Sequence, residues 1–260
     1  MNVKPKKSLG QHFLTDEDIA LRIVEALVPM PGVSAVLEVG PGMGVLTKYL
    51  VANETYQTTI IDVDVESIRY LNEKFPQLGD RIIGADFLNI NLTQYFANPF
   101  FVIGNFPYNI STQIVFKILE NKDLIPQMVG MFQKEVAERL ASKPGSRVYG
   151  ITSVLVQAFY DIEYLFTVSE QVFNPPPKVK SGVIRMVRNG VSHLPCDEVI
   201  FKQLVKTAFG QRRKMLRNAL GVFQLNSLQG FEPYLTKRAE ELSVQDYIDL
   251  TRLVTINKKQ

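Results

Sequence analysis

The sequence predicts an α/β protein with a doubly wound, mostly parallel sheet followed by a small all-helical C-terminal domain. Three observations carry this. Short apolar runs alternate with amphipathic stretches at the spacing of βαβ units over the first 133 residues. A glycine turn, Gly40-x-Gly42-x-Gly44, directly follows the first of these runs. Beyond Asn189-Gly190, helical patterning continues without strand signals, which sets a boundary near 190 and two domains, 1–190 and 191–260.

Taken in order, residues 1–14 read as loop and end in Ser8-Leu9-Gly10-Gln11-His12-Phe13-Leu14. Thr15 or Asp16 caps a helix to about residue 28, with Ile19, Ile23, Val24 and Leu27 on one face, and the Pro29–Gly32 stretch stops it. Residues 35–39 are a buried strand, followed by the glycine turn and a helix to about 52. A second strand covers 58–61 and ends in Asp62; a helix spans about 65–75. The third strand, 81–84, is closed by Ala85-Asp86. The fourth is 100–103 and the fifth 128–132, with a helix over 112–120 between them. Helices follow over 134–141 and 151–159, separated by Pro144-Gly145, then a pair of strands at 161–167 and 182–187. The Phe173-Asn174-Pro175-Pro176-Pro177-Lys178 segment between those strands is stiff and extended. Seven strands result.

An apolar content of 46% and a charged content of 21% suit a soluble globular chain. The longest apolar runs are far short of a membrane span, and the basic N-terminal stretch has no apolar segment behind it, so neither a membrane association nor a secretory signal is expected. Cys196 is the only cysteine and His12 and His193 the only histidines. An internal disulfide is therefore impossible, and the ligand sets of zinc sites and zinc deaminases are missing, so no metal is expected. A reducing cytoplasm is the expected setting. The net charge of +3 says little, but its distribution says more. From Phe201 to Leu220 the chain carries Lys202, Lys206, Arg212, Arg213, Lys214 and Arg217 without an acid, as a polyanion-binding surface would.

The most informative stretch is Gly104-Asn105-Phe106-Pro107-Tyr108, where the fourth strand leaves the sheet. In open α/β sheets ligands bind outside the carboxyl ends of the strands. Pro107 fixes its own φ and pushes Phe106 to an extended conformation. The Asn105 side-chain oxygen and the Phe106 carbonyl then form two acceptors aimed at one spot, with Tyr108 as a flat wall. That suits the amino group of a planar base. Read alone, Asn-Phe-Pro-Tyr is equally well a turn; the other strand ends decide. Glu38, Gly40, Gly42, Asp62, Asp86 and Asn105 fall at successive strand ends. Asp62 is placed to accept from a ribose diol and Asp86 from an adenine amino group. Val45 occupies the third small position of a dinucleotide fingerprint, and no phosphate-binding motif is present. A nucleoside with acidic contacts and no phosphate points to S-adenosylmethionine.

These motifs resemble the ribosomal RNA adenine dimethyltransferase family over nearly the whole chain. Ser8–Leu14 resembles its N-terminal segment that closes over the cofactor, so His12 and Leu14 are expected beside it. Glu38–Gly44 resembles its glycine motif, Ile61–Asp64 its ribose-binding acid, Ala85-Asp86 its adenine-binding acid, and Gly104–Tyr108 its catalytic Asn-Leu-Pro-Tyr. Phe173–Ser181 resembles the segment that adds an aromatic to the target-base pocket, and Phe209–Lys214 the opening of its RNA-binding domain. Lys178 joins the basic run as an RNA contact. His12 stands where the family usually has Asn, Phe106 replaces Leu, and Asp62 replaces the Glu of many relatives. The resemblance implies a Rossmann-like class I methyltransferase domain at 1–190 and an RNA-binding domain at 191–260. It implies dimethylation of two adjacent adenosines near the 3′ end of 16S rRNA in the 30S subunit, by a monomeric enzyme. The competing readings are a 23S rRNA adenine methyltransferase, an assembly factor without turnover, and a nicotinamide-dependent oxidoreductase.

Overall fold

The computed structural model describes residues 3–224 and 230–257. In chain order the elements are β1 (Phe13–Leu14), α1 (Glu17–Glu25), β2 (Ala35–Val39), α2 (Thr47–Ala52), β3 (Gln57–Asp62), α3 (Val65–Lys74), β4 (Ile82–Gly84), β5 (Phe101–Asn105), α4 (Ser111–Glu120), β6 (Gln127–Gln133), α5 (Lys134–Ala141), α6 (Ile151–Gln157), β7 (Tyr160–Val168), β8 (Phe173–Asn174), β9 (Ser181–Arg188), α7 (Glu198–Gly210), α8 (Leu216–Ala219) and α9 (Val244–Asn257), with short 3-10 turns between them.

The main sheet has seven strands in the order β4-β3-β2-β5-β6-β9-β7. β2 pairs in parallel with β3 and β5, β3 with β4, and β5 with β6; β9 runs antiparallel to β6. β5 and β6 are buried along nearly their whole length and read as unbroken apolar runs, as parallel strands covered on both sides do. The strand order reverses between β2 and β5, so the carboxyl ends of those strands flank the switch point where a crevice opens. One core cluster joins Ile23 and Val24 of α1, Leu50 of α2, and Val36, Ile103, Val129 and Val183 of the sheet. A second joins Ile60 with Leu71, Phe75 and Leu78.

Helix starts follow local chemistry. Asp16 caps α1 by accepting from the Ile19 amide at 3.0 Å, and α1 ends at Glu25, three residues before the expected stop. Asp64 caps α3 and Asp197 caps α7.

The segments expected to be loop and stiff extension meet each other. Phe13 and Leu14 pair antiparallel with Asn174 and Phe173 in a separate two-stranded ladder. Two-residue strands about 160 positions apart leave no periodicity to read.

The chain divides into two compact units, Met1–Ala137 with Asp161–Arg188, and Glu138–Tyr160 with Asn189–Gln260. The passage after Arg188 lies two residues from the expected boundary at 190. Residues 138–160, expected in the first domain, group with the second unit instead. There α6, α7 and α9 pack together, with the Phe209 ring between those of Tyr149 and Tyr247 at centroid distances of 6.2 and 6.1 Å. These apolar faces have their partners on the C-terminal helices, which a linear reading of one helix does not reveal.

Candidate functional site

A cavity of about 370 Å³ opens at the switch point in the first unit. Its lining combines the ends of β2, β3 and β5, the glycine turn, Asp86 and Leu88 beyond β4, and residues 8–14 of the N-terminal segment. Glu38, Gly40, Gly42, Asp62, Asp86, Asn105, Phe106, Pro107, Tyr108, His12 and Leu14 all border it. The structure thus brings together every cofactor-side residue expected from the sequence, and the Asn105–Tyr108 motif with them.

The acids differ in environment. Glu38 is 1% exposed and accepts from the Thr47 hydroxyl at 2.6 Å. Burial, with Asp62 nearby, pushes its carboxyl up to about 8. Asp62 accepts from the amides of Asp64 at 2.9 Å and Gly42 at 3.4 Å; burial raises its carboxyl, and those amides oppose the rise. Gly42 lies at φ 55°, and a Cβ there would meet the Phe13 ring at 2.9 Å, so only glycine lets the turn pass under that ring. Asp86 accepts from the Leu88 amide and the Asn89 carboxamide at 2.9 and 2.6 Å.

The N-terminal segment is tied across the cavity at several points. The Lys6 ammonium and the Gln11 carboxamide both bond Asp64, whose carboxyl lies below its ordinary value because these donors outweigh its burial. The Gln11 side-chain oxygen accepts from the Lys6 amide. This clasp was not legible in the sequence: Lys6 reads as one of several terminal lysines, and its partner is 58 positions away.

At the exit of β5, the Asn105 Nδ2 donates to the His12 carbonyl at 3.0 Å. A carbonyl accepts only, so this contact fixes which end of the carboxamide carries the amine. Neither Asn105 Oδ1 nor the Phe106 carbonyl has a hydrogen-bond partner among the described residues. The Phe106 amide donates to the Met131 carbonyl at 3.1 Å, and its ring, 1% exposed, fills the space above two glycines. A Cβ on Gly104 or Gly130 would come within 2.7 or 2.2 Å of that ring. The Tyr108 hydroxyl bonds Ser181 Oγ at 2.6 Å, and burial raises its pKa. Its ring faces His12, with centroids 5.5 Å apart and planes at 30°.

Two expected site residues lie elsewhere. Phe173 does not border the cavity. It sits directly opposite Leu14 on one face of the β1–β8 ladder, and both point into the core, 4% and 5% exposed. The ladder's aromatic at the cavity is Phe13, on the other face. Arg212 is not a free surface cation. Its guanidinium donates to the carbonyls of Arg147 at 2.7 Å and Ser146 at 3.4 Å and pairs with Glu240, all within the second unit. Lys202, Lys206, Arg213, Lys214 and Arg217 in the second unit, and Lys178 in the first, are exposed.

The cavity's donor set limits its ligand. Three carboxyl groups line it, with no lysine or arginine; His12 is its one basic side chain. That suits a nucleoside bearing positive charge and opposes a phosphate. Among the described residues no group of three or more His, Cys, Asp or Glu could hold a metal ion, and no helix is long and apolar enough to cross a membrane.

The comparisons agree with this geometry. The family model for ribosomal RNA adenine dimethylase matches residues 2–255. A Cytophaga hutchinsonii protein named ribosomal RNA small subunit methyltransferase A is 57% identical over 97% of this chain and 98% of its own. A Flavobacterium johnsoniae protein of the same name is 56% identical over 97% and 96%. The crystal structure of a dimethyladenosine transferase from Plasmodium falciparum superposes with a TM-score of 0.79 at 25% identity, covering 95% of this chain and 98% of that one. The crystal structure of the 23S rRNA methyltransferase ErmE superposes at 0.73 with 23% identity, over 94% and 99%, and shares the fold. The sheet order, the acid-lined cavity at its switch point and these matches identify a class I methyltransferase fold. The chain belongs to the ribosomal RNA adenine dimethylase family, whose members are enzymes that dimethylate adenine in ribosomal RNA.

Proposed function

We propose that this enzyme dimethylates the exocyclic amino groups of two adjacent adenosines near the 3′ end of 16S rRNA, with S-adenosylmethionine as methyl donor and the 30S subunit as substrate. The observation that carries the reading is the orientation of Asn105. With Nδ2 held by the His12 carbonyl, Oδ1 is left to accept beside the Phe106 carbonyl at the mouth of an acid-lined cavity. The relatives' name, small subunit methyltransferase, supports the choice of RNA.

S-adenosylmethionine supplies an electrophilic methyl on a sulfonium. Asp62 would hold its ribose diol and Asp86 its adenine amino group, with the chain lying over Gly40 and Gly42. The acids balance its positive charge, and a cation in the cavity would favour the ionised form of Glu38.

The adenine amino nitrogen is a poor nucleophile because its lone pair is delocalised into the ring. Asn105 Oδ1 and the Phe106 carbonyl accept its two N–H groups and draw it toward tetrahedral geometry. That localises the lone pair and stabilises the positive charge that grows during attack. The proton leaves after attack, when the nitrogen is far more acidic, so no general base is required first. After one transfer a single N–H remains, and the slot must accept a methyl in place of the second hydrogen bond. Holding nitrogen, methyl carbon and sulfur in line supplies much of the remaining rate gain.

Lys202, Lys206, Arg213, Lys214 and Arg217 would contact RNA phosphates from the second unit, and Lys178 from the first; Arg212 drops out of that set. The reading includes a monomer that needs no metal and works in the cytoplasm, where 30S subunits are assembled. The test is tritiated methyl transfer to undermethylated 30S subunits, with naked 16S and 23S rRNA as controls. Four methyl groups per 30S particle are expected; transfer to 23S rRNA alone would overturn the choice of substrate.

A further inference from the structure

The turn after β4 carries Asp86 to the cavity and also holds its carboxylate in one orientation. The backbone of the turn is closed without any side chain: the amides of Asn89 and Ile90 both donate to the Asp86 carbonyl, at 3.0 and 3.1 Å. Both of its ends are pinned. The Ala85 amide donates to the Asp62 carbonyl at 3.0 Å, so the turn starts from the neighbouring strand end. The Lys117 ammonium reaches from α4 to the Ile90 carbonyl at 2.8 Å. Between these ties the Phe87 ring is buried.

On this fixed turn the Asp86 carboxylate receives two donors. The Leu88 amide donates to Oδ1 at 2.9 Å, and Asn89 Nδ2 donates to Oδ2 at 2.6 Å. A carboxylate accepts along about four lone-pair directions. One on each oxygen is thus taken from within the turn, and one on each is left. Asp86 borders the cavity and Asn89 does not. Asn89 is exposed, and its one side-chain hydrogen bond among the described residues is to that carboxylate. A turn already closed by its backbone has no need of that bond. A carboxylate held at one oxygen can swing; held at both, it meets an incoming N–H in one orientation. Such preorganisation strengthens binding by lowering the cost of ordering. It helps a ligand that offers an N–H at this place and gives nothing to one that lacks it.

We propose that Asn89 is a positioning residue for cofactor selection. By holding Asp86 Oδ2 it aims the carboxylate at the 6-amino group of the cofactor's adenine, and so raises the preference for adenine over a purine without that group. This rests on the reading above in which Asp86 holds the adenine amino group.

The experiment is calorimetric binding of two probes to the full chain: S-adenosylhomocysteine, and its analogue with hydrogen in place of the 6-amino group. Wild type should bind the first at least about tenfold more tightly, as a hydrogen bond to a charged group provides. Asn89→Ala should weaken S-adenosylhomocysteine binding roughly 3–10-fold, the loss of one orienting hydrogen bond. Its affinity for the analogue should stay within twofold, so that the preference narrows by the same factor. Asn89→Gln, which keeps the carboxamide on a longer stem, should recover part of that preference. Melting temperatures of both variants should stay close to wild type. An Asn89→Ala protein that keeps the full preference, or loses affinity for both probes alike, would overturn the proposal and leave the assignment of Asp86 standing. A wild type that binds S-adenosylhomocysteine no better than the analogue would remove Asp86 from the amino group, and this inference with it. Binding of neither probe would overturn the functional reading itself.

Discussion

The carboxyl groups of the cavity and the cations of the second unit's basic run are held in place by opposite means. Glu38 and Asp62 sit at the ends of buried strands, on short side chains whose oxygens accept from the Thr47 hydroxyl and from the backbone amides of Gly42 and Asp64. Where the strand ends, the acid is. Lys202, Lys206, Arg213 and Lys214 stand on long exposed side chains with their ends in water, so their neighbours do not define them. Arg212 belongs by sequence to the second group and by structure to the first: the carbonyls of Ser146 and Arg147 and the Glu240 carboxylate hold its guanidinium in place. The lesson is that a like-charged run says what a surface is composed of, and a backbone position says what a side chain can reach.

The largest test of this contrast is at the cavity. Asn105→Ala should lower methyl transfer at saturating cofactor by about 10²–10³-fold, as loss of one preorganised acceptor does, with S-adenosylmethionine affinity nearly unchanged in calorimetry. Lost cofactor binding with normal turnover would move Asn105 out of the chemistry.

Next comes the buried acid. The Glu38 carboxyl is raised from an ordinary 4.5 to about 8 by burial. A raised folded-state value gives stability that is fully present below about 4.5 and is lost as pH rises toward and through about 8. The cofactor-free protein should therefore melt at lower temperature at pH 8.5 than at pH 5. Glu38→Gln, which keeps an acceptor for Thr47, should flatten that slope by removing a pH-dependent loss on the order of a few kcal/mol in total. Asp62, also raised by burial, leaves a residual slope of the same sign. Equal slopes in wild type and variant would remove Glu38 as the cause.

Gly130→Ala should cost roughly 1–3 kcal/mol by overpacking the Phe106 ring, and Phe106→Leu in the same chain should recover much of it; urea unfolding of the single and double variants measures both. No recovery would mean that the clash is with something other than that ring.

The second unit gives a matched pair. Arg212→Ala should lower stability by about 2 kcal/mol, in line with hydrogen bonds to a charged group, and leave the salt dependence of RNA binding alone. Arg213→Ala with Lys214→Ala should do the reverse, reducing the slope of log affinity against log salt by about 1.4, the loss of two single-strand phosphate contacts. If the two sets behave alike, the distinction between held and free cations fails.

Much of the fold and most of the cavity could be read from the sequence for the same reason. Apolar runs at βαβ spacing locate the strands, and in a parallel sheet the strand ends locate the crevice; Glu38, Asp62, Asp86 and Asn105 needed no knowledge of side-chain contacts. What stayed hidden depends on long-range pairing. The face on which Phe173 lies is set by a two-residue ladder with Leu14, the Lys6–Asp64 clasp by a partner 58 positions away, and the allegiance of residues 138–160 by helices near the other end of the chain. None of these leaves a local periodicity. The same holds for Phe106, whose ring is demanded by two glycines on adjacent strands.

The most direct measurement is a crystal structure of the full chain with S-adenosylmethionine bound. The account predicts the sulfonium methyl directed at the gap between Asn105 Oδ1 and the Phe106 carbonyl, within about 3–3.5 Å of where a base nitrogen bonded to both would sit. A methyl turned away from that gap, or a cofactor lying outside the acid-lined cavity, would contradict it.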